Sequence, residues 1–150
     1  MTNVLLDTNL LLLLIIGSWD RSSVSRFKRT SQFDEADFDL LVREIGRYGQ
    51  VVTTPSILTE SSNLIRDDAH VRIAPSMVRL YATLVERWTG KSQVTADRSF
   101  SRLGYCDAMV LTVAQEGTAV LTDDLDLYME LSYRNQAVTN FNHLRSQHNG

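Results

Sequence analysis

Short apolar runs alternate along this chain with segments in which apolar residues recur at helical spacing. The runs predict strands, and their alternation with helices is typical of a parallel sheet covered by helices. The predicted strands lie at about Asn3 to Leu6, at Val51 and Val52, at 119–122 and near Ala137 to Thr139, with Val94 as a candidate for a further short strand. We therefore expect an α/β fold built on a mainly parallel sheet of about four to five strands.

Capping residues and periodicity predict the helices between these strands. An apolar stretch from Leu10 to Ile16 predicts a buried helix that ends at Gly17 and Ser18. Asp34 and Thr54 are typical N-cap residues. The further predicted helices run from Asp34 to Gly49, from Thr54 to Arg66 with Pro55 at the first position, from near Pro75 to Gly90, over 105–115 with Gly117 behind it, and from about Leu125 to Ser132.

Size and composition fit one soluble domain. The chain has 150 residues, of which 43% are hydrophobic and 22% charged, and these are ordinary values for a globular domain with one core. Residues 22–30 could form a short helix, and residues 146–150 read as a flexible tail. The single cysteine, Cys106, excludes an internal disulfide and a zinc site built from cysteines.

Neither a membrane span nor a secretory signal is predicted. The stretch from Leu10 to Ile16 is too short to span a bilayer, and no lysine or arginine precedes Arg21, so the basic part of a signal peptide is missing. We expect a cytoplasmic protein with no membrane partner. The net charge of −3 gives no global basic field for nucleic acid, but 13 of the 15 basic residues are arginine, which suits bidentate contact to phosphate.

Four acids stand where strands end or helices begin. Asp7 comes directly after the first strand and Asp124 just after the strand at 119–122, while Glu60 and Asp107 lie in the first turns of two helices. Strand ends and helix beginnings share one edge of a parallel sheet, and open α/β sheets bind ligands at that edge. We therefore expect the four carboxylates to converge on one crevice.

Clustered carboxylates favour a hard divalent cation. Their mutual repulsion would otherwise keep some of them protonated. Mg²⁺ and Mn²⁺ take oxygen ligands, and two such ions can stabilise the attacking and leaving oxygens of phosphoryl transfer. Three polar neighbours, Thr8, Asn9 and Thr122, could orient the carboxylates.

Each of these acids also has a purely structural alternative. Asp7 could cap the helix that follows it, and one of Asp123 and Asp124 could cap the helix after them. Glu60 and Asp107 could complement a helix dipole from the first turn. Such roles explain the acids one at a time, but they explain poorly why all of them fall at the same edge.

Four blocks of the sequence together resemble the PIN domain, a metal-dependent ribonuclease fold that includes the VapC-type toxins of bacterial toxin–antitoxin pairs. The blocks are VLLDTN, TPSILTESSNLI, LGYCDAMVLTVA and AVLTDDLDLY, and they span residues 4 to 128. The resemblance implies a three-layer α/β/α sandwich that binds Mg²⁺ or Mn²⁺. It also implies that the family's acidic quartet is matched by Asp7, Glu60, Asp107 and Asp124.

Further positions match the family pattern around this quartet. Thr122 matches its hydroxyl, Asp126 matches a frequent additional acid, and Asn9 matches the polar residue after the first aspartate. Because Asp123 stands beside Asp124, the assignment of the fourth acid is uncertain by one residue.

One segment departs from the family pattern. The span between Asp7 and Glu60 is longer than in many small toxins of this family, by an insertion near residues 17–33. The insertion holds Trp19 and four basic residues, Arg21, Arg26, Lys28 and Arg29. Basic groups beside an aromatic ring suit a nucleic-acid strand, so these four are candidate RNA contacts. The alternative is a solvated helix face with one packed tryptophan.

The resemblance implies an endoribonuclease that hydrolyses RNA, leaves a 5′-phosphate, and acts as a homodimeric toxin held by a small antitoxin protein. Alternatives are a stand-alone RNA-processing or defence nuclease and a non-catalytic binding module that keeps the fold as a scaffold. A phosphotransfer protein of the haloacid dehalogenase or response-regulator type fits poorly. Asn9 stands where the former needs a second aspartate, and no lysine follows Lys91.

Overall fold

Five short strands form one parallel sheet in the part of the chain that the computed structural model describes, which is residues 1–65, 70–115 and 117–149. In chain order the strands are β1 Val4–Leu6, β2 Val51–Thr53, β3 Val85–Glu86, β4 Ala119–Thr122 and β5 Val138–Asn140. Their order across the sheet is β3-β2-β1-β4-β5, and each neighbouring pair is parallel. The predicted α/β class is confirmed, and the four apolar runs that predicted strands are confirmed to within a residue.

Helices cover this sheet. The described residues form eight of them: α1 Thr8–Trp19, α2 Glu35–Ile45, α3 Pro55–Leu64, α4 His70–Tyr81, α5 Lys91–Thr95, α6 Phe100–Ala114, α7 Leu125–Tyr133 and α8 Phe141–Asn149. Two turns of 3-10 helix, Arg21–Ser23 and Lys28–Thr30, lie between α1 and α2. The arrangement is consistent with the predicted three-layer α/β/α sandwich.

The helix α1 lies in the middle of the core. Every residue from Leu10 to Ile16 is buried, and α1 packs against α2, α3 and α4 as well as against β1 and β4. The preceding strand is equally enclosed, since its residues Val4–Leu6 are at most 1% exposed. Burial of apolar surface stabilises the fold by about 25 cal/mol per Å². The burial of β1 and α1 therefore holds the junction between them in place, and Asp7 lies at this junction.

The predicted ends of the first two helices are wrong. The helix α1 continues past Gly17 and Ser18 to Trp19, because Gly17 serves packing rather than termination: a Cβ there would lie 2.0 Å from the ring of Phe38 on α2. The helix α2 ends at Ile45 and not at Gly49. The backbone of Gly49 instead donates a hydrogen bond to the carbonyl of Thr2 at 2.9 Å, which leads the chain into β2.

The predicted helix from near Pro75 to Gly90 is wrong at both ends. The helix α4 holds Pro75 in its interior and ends at Tyr81, and Val85–Glu86 form the edge strand β3. The N–H of Arg87 donates to the carbonyl of Thr53 at 2.9 Å. The backbone N–H and C=O groups of residues 85–87 thus form hydrogen bonds with β2 and are not available for a helix. Here a tertiary contact outweighs the helical spacing of apolar residues in the sequence.

Four smaller expectations also differ from the structure. Val94 is buried in α5 and not in a strand, and residues 22–30 contain 3-10 turns in place of a short helix. The helix α3 ends at Leu64, and residue 66, its predicted end, lies outside the described residues. Residues 146–149, which were expected to form a tail, are helical and belong to α8; residue 150 is not among those described.

Candidate functional site

The candidate site lies where the strand order reverses. From β1 the sheet proceeds to β2 and β3 on one side and to β4 and β5 on the other. Asp7 follows β1, and Asp123 and Asp124 follow β4, so the three acids leave two adjacent parallel strands at their carboxyl ends. Such a switch point opens a crevice in which α/β proteins bind ligands.

One small cavity at this point, of about 90 Å³, joins all four predicted acids. Its lining residues are Asp7, Thr8, Asn9, Glu60, Asp107, Asp123 and Asp124. The acids therefore come from the starts of α1 and α7, from α3 and from α6. Among the described residues that line the cavity, none is basic, so none of these lining side chains compensates the carboxylates.

Asp7 is buried and receives three hydrogen bonds. Its Oδ1 accepts from the N–H of Leu10 at 3.1 Å, which makes Asp7 the N-cap of α1. Its Oδ2 accepts from the hydroxyl of Thr122 and from the N–H of Asp123. Burial, and after it the Asp123 carboxylate, raises the pKa of Asp7 to about 8 against the lowering effect of these hydrogen bonds. The capping alternative is thus true of Asp7, but only one of its two oxygens is used for it.

Asp107 lies near the start of a helical segment because α6 is interrupted at Gly104. Gly104 has φ 87° and ψ 177°, a conformation that residues with a side chain rarely adopt. Helical geometry resumes at Tyr105, so the helix predicted over 105–115 is the second part of α6. Space is not the constraint, since a Cβ at Gly104 would meet no atom within 4 Å. The glycine is needed for its backbone angles alone.

The carboxylates in the cavity disfavour one another's ionisation. Burial raises the pKa of Asp107 to about 6, and the charges of Asp124, Glu60 and Asp126 act in the same direction. Burial also raises the pKa of Asp123. Asp126, predicted as an additional acid, therefore lies close enough to act on the site although it does not line the cavity.

Asp123 and Asp124 both line the cavity and differ in what holds them. The Oδ1 of Asp124 accepts from the N–H of Leu127 at 3.1 Å and so caps α7. The carboxylate of Asp123 is approached by the side-chain amides of Asn9 and Gln32, each at 3.4 Å. Gln32 was missed in the sequence, because it lies in a segment without helical or strand periodicity.

Glu60 reaches the cavity from α3, which begins as predicted with Thr54 as its N-cap. The neighbouring Ser61 is buried and hydrogen-bonded to the hydroxyl of Tyr81 on α4 at 2.6 Å. This bond ties α3 to α4, while the side chain of Glu60 remains exposed.

Cys106 lines the same pocket as Glu60. Burial, followed by the charges of Glu60 and Asp107, raises the pKa of the Cys106 thiol to about 12. A raised pKa disfavours the thiolate, which is the nucleophilic form of cysteine.

The four basic residues of the insertion are placed in different surroundings. Arg21 forms ion pairs with Glu35 and Asp39 on α2. Arg26 lines a pocket with Trp19, whose ring is covered by the guanidinium of Arg72 at 5.9 Å. Lys28 and Arg29 line a separate cavity of about 260 Å³ that they share with Asn9 and Gln32. Only this pair adjoins the acidic cavity.

An ionic network joins α6 to α7, and none of its side chains lines the cavity. Arg134 pairs with Asp97 at 2.7 Å and with Glu130 at 3.0 Å, and these three side chains are at most 10% exposed. Glu130 also accepts from the hydroxyl of Ser99, just before α6, at 2.8 Å. The network ties the start of α6 to α7. Asp107 lies farther along α6, beyond Gly104, and Asp124 is the N-cap of α7.

Two threonines at strand ends should respond in opposite ways to the nearly isosteric valine. Thr53 is 1% exposed, and its hydroxyl has no hydrogen-bond partner in the described part of the chain. Thr53→Val should therefore raise the free energy of unfolding by about 1 kcal/mol, because a desolvated hydroxyl is removed. Thr122→Val should lower it by about 1–3 kcal/mol, since Thr122 donates to Asp7 and accepts from the N–H of Asp124. Urea unfolding followed by circular dichroism measures both, and a destabilised Thr53→Val protein would contradict the account of Thr53.

The donor chemistry of the cavity suits a hard cation, although the carboxylates do not converge on one point. Within the described ranges, no group of three or more histidine, cysteine, aspartate or glutamate side chains is already close enough to hold a metal ion. Five carboxylates nevertheless line one small volume, and several have raised pKa values that a cation would relieve. The residues present therefore fit Mg²⁺ or Mn²⁺ by chemistry.

Comparison of the sequence with protein-family models gives no match, and comparison with curated proteins gives none either. Across the described residues, no helix combines the length and the apolar character needed to cross a membrane.

Proposed function

We propose that this chain is a PIN-type endoribonuclease that uses Mg²⁺ or Mn²⁺ to hydrolyse phosphodiester bonds of RNA. The observation that carries the proposal is the acidic cavity at the switch point between β1 and β4, lined by five carboxylates from separate parts of the chain. The PIN-like sequence blocks imply such a cluster. Helix capping accounts for Asp7 and Asp124 but gives no reason for Glu60, Asp107 and Asp123 to line the same cavity.

We infer that Asp7, Glu60, Asp107 and Asp124 hold the cation and that Asp123 assists them. Their oxygen donors match hard divalent ions better than softer metals. When bound, such an ion lowers the pKa of a water ligand and neutralises charge that develops on the phosphate. The protein's own part is to keep the carboxylates oriented and to hold the RNA against them.

Asp7 is well prepared for this role. The N–H groups of Leu10 and Asp123 and the hydroxyl of Thr122 hold its two oxygens in fixed directions. The amide of Asn9 restrains Asp123 from the solvent side. A carboxylate that is oriented before ligand binding loses less conformational freedom when the ligand arrives.

We assign phosphate contact to Lys28 and Arg29 rather than to all four basic residues of the insertion. Both are exposed and line the cavity that adjoins the acidic one at Asn9. Arg21 is engaged by two carboxylates of α2, and Arg26 is directed to the pocket at Trp19. Cations beside an acidic centre compensate the phosphate charges that flank a scissile bond.

We extend the proposal to a toxin that acts as a homodimer in the cytoplasm and is held by a small antitoxin protein. Only the resemblance of the sequence blocks supports this extension. A stand-alone RNA-processing or defence nuclease would use the same site chemistry, and a small neighbouring gene for a DNA-binding antitoxin would distinguish the two.

Metal-dependent cleavage of RNA by the purified chain is the direct test. Total RNA incubated with the protein and Mn²⁺ or Mg²⁺ should acquire new 5′-monophosphate ends at defined sites, and EDTA in place of the metal should prevent them. Mapping of 5′ ends by ligation identifies the sequence that is cut. Intact RNA with both metals, together with a melting temperature that metal leaves unchanged, would favour the non-catalytic module.

A further inference from the structure

A pocket of about 500 Å³ opens beside the acidic cavity, between α3 and the second part of α6. We call it the Tyr105 pocket, and the residues that matter for its chemistry are Pro55, Thr59, Glu60, Asn63, Leu64 and Tyr105. Its volume lies in the range of pockets that bind small organic groups. The site described above does not use it.

We propose that the Tyr105 pocket binds one nucleobase of the RNA substrate, stacked on the ring of Tyr105. This inference rests on the proposed nuclease function and names the part of the substrate that is recognised next to the scissile bond. Tyr105 is 40% exposed, and its ring makes an edge-to-face contact with the ring of Phe100, with 6.5 Å between the two centroids. An exposed aromatic ring is a stacking platform for an unpaired base.

The remaining walls of the Tyr105 pocket match a base in polarity. Pro55 and Leu64 supply apolar surface beside the ring. Asn63 and Thr59 are exposed on α3 and offer both donors and acceptors, which is what reading the edge of a base requires. An apolar wall with a few polar groups is typical of a pocket for a flat heterocycle.

Shared residues join three cavities to one another. Glu60 lines both the Tyr105 pocket and the acidic cavity, Asn9 lines both the acidic cavity and the cavity of Lys28 and Arg29, and Leu64 lines both that cavity and the Tyr105 pocket. The basic, the acidic and the aromatic cavity are therefore mutual neighbours. A single RNA strand that crosses them would place a flanking phosphate at Lys28 and Arg29, the scissile phosphate at the acids, and a base at Tyr105.

The experiment uses a short RNA that carries one mapped cleavage site, and it measures kcat/KM for cleavage. Tyr105→Ala should lower kcat/KM about tenfold or more through the loss of stacking, whereas Tyr105→Phe, which keeps the ring, should stay near wild type. Tyr133→Ala is the matched control, because Tyr133 is a 75% exposed tyrosine on α7 that lies outside the three cavities. Circular dichroism confirms that each variant is folded.

Substrates with one abasic ribose identify the base that is bound. With wild-type protein, kcat/KM should fall about tenfold or more when one particular nucleotide next to the cut lacks its base. With Tyr105→Ala, kcat/KM should not fall further when that same base is missing. Asn63→Ala should alter base preference at the same position, which keeps the inference testable if Tyr105→Ala folds poorly. Equal cleavage by wild type and Tyr105→Ala, the result expected if the pocket docks a protein instead, would overturn the inference. RNA left intact by wild type would overturn the proposed function, and the inference with it.

Discussion

Asp7→Asn protein should cleave RNA about a thousandfold more slowly than wild type, which corresponds to about 4 kcal/mol of transition-state stabilisation. Asparagine keeps the shape of aspartate and can still accept from Leu10, but it carries no charge for a cation. The Oδ2 of Asp7 accepts hydrogen bonds from the hydroxyl of Thr122 and the N–H of Asp123. In asparagine an NH₂ group would take the place of this oxygen, and it cannot accept either bond. Both the charge and the orientation of the central ligand are therefore lost.

The measurement is the rate at which 5′-monophosphate ends appear at a mapped site under single-turnover conditions. Glu86→Gln is the matched control, because Glu86 is an exposed acid on β3 that does not line the acidic cavity. It should cleave at the wild-type rate. An Asp7→Asn protein that is folded and retains more than about a tenth of the wild-type rate would be incompatible with Asp7 as a metal ligand.

Without metal, the protein should become less stable as pH rises from 5 to 8. The folded-state pKa values of Asp107, about 6, and Asp7, about 8, both lie above the ordinary value of 3.8. An acid whose pKa is raised by folding is bound to a proton more often in the folded state, so its contribution to stability is lost as pH rises through that pKa. Glu60, Asp123, Asp124 and Asp126 face the same region and add no compensating positive charge.

Between pH 5 and 8, Asp107 alone loses the effect of about one pKa unit, or about 1.4 kcal/mol, because its folded-state pKa is about 6. The melting temperature should therefore fall by roughly 3–6 °C from Asp107, and Asp7 adds to this fall. Acids whose pKa is lowered by ion pairs, such as Asp97, lose their contribution only below about pH 4. Mn²⁺ should raise the melting temperature by several degrees at pH 8 and by less at pH 5, because protons compete with it. Differential scanning fluorimetry measures both effects, and Asp107→Asn should reduce them.

Metal-free stability that is flat or rising from pH 5 to 8 would contradict the electrostatic account of the cavity. A metal effect of equal size at both pH values would indicate binding elsewhere on the protein. Neither result depends on knowing the RNA, so this experiment separates the chemistry of the cavity from the choice of substrate.

The acids of the site could be predicted because each stands beside a local signal. Asp7 follows a buried run, Asp123 and Asp124 follow another, and Glu60 comes soon after the Thr54 cap. The parallel arrangement then brings strand ends to one edge whatever the details of the loops. For the same reason the class of fold followed from the alternation of runs and helical periods.

What the sequence did not show depends on contacts between distant residues. The edge strand β3 is only two residues long and exists through pairing with β2. Gly17 resembles a helix end until Phe38 is placed over it. Gln32 reaches Asp123 across 91 residues of sequence, and Arg21 pairs with two acids of α2 that its own sequence neighbourhood does not indicate. Local periodicity carries no information about such partners.

The ion pairs of Arg134 with Asp97 and Glu130 tie α7 to the segment of chain that leads into α6. Asp124 caps α7, and Asp107 lies on α6 beyond the interruption at Gly104. We therefore expect substitutions in this network to act on the spacing of these two carboxylates while the residues that line the cavity stay the same. Selection for a cation of different ionic radius can thus act outside the cavity.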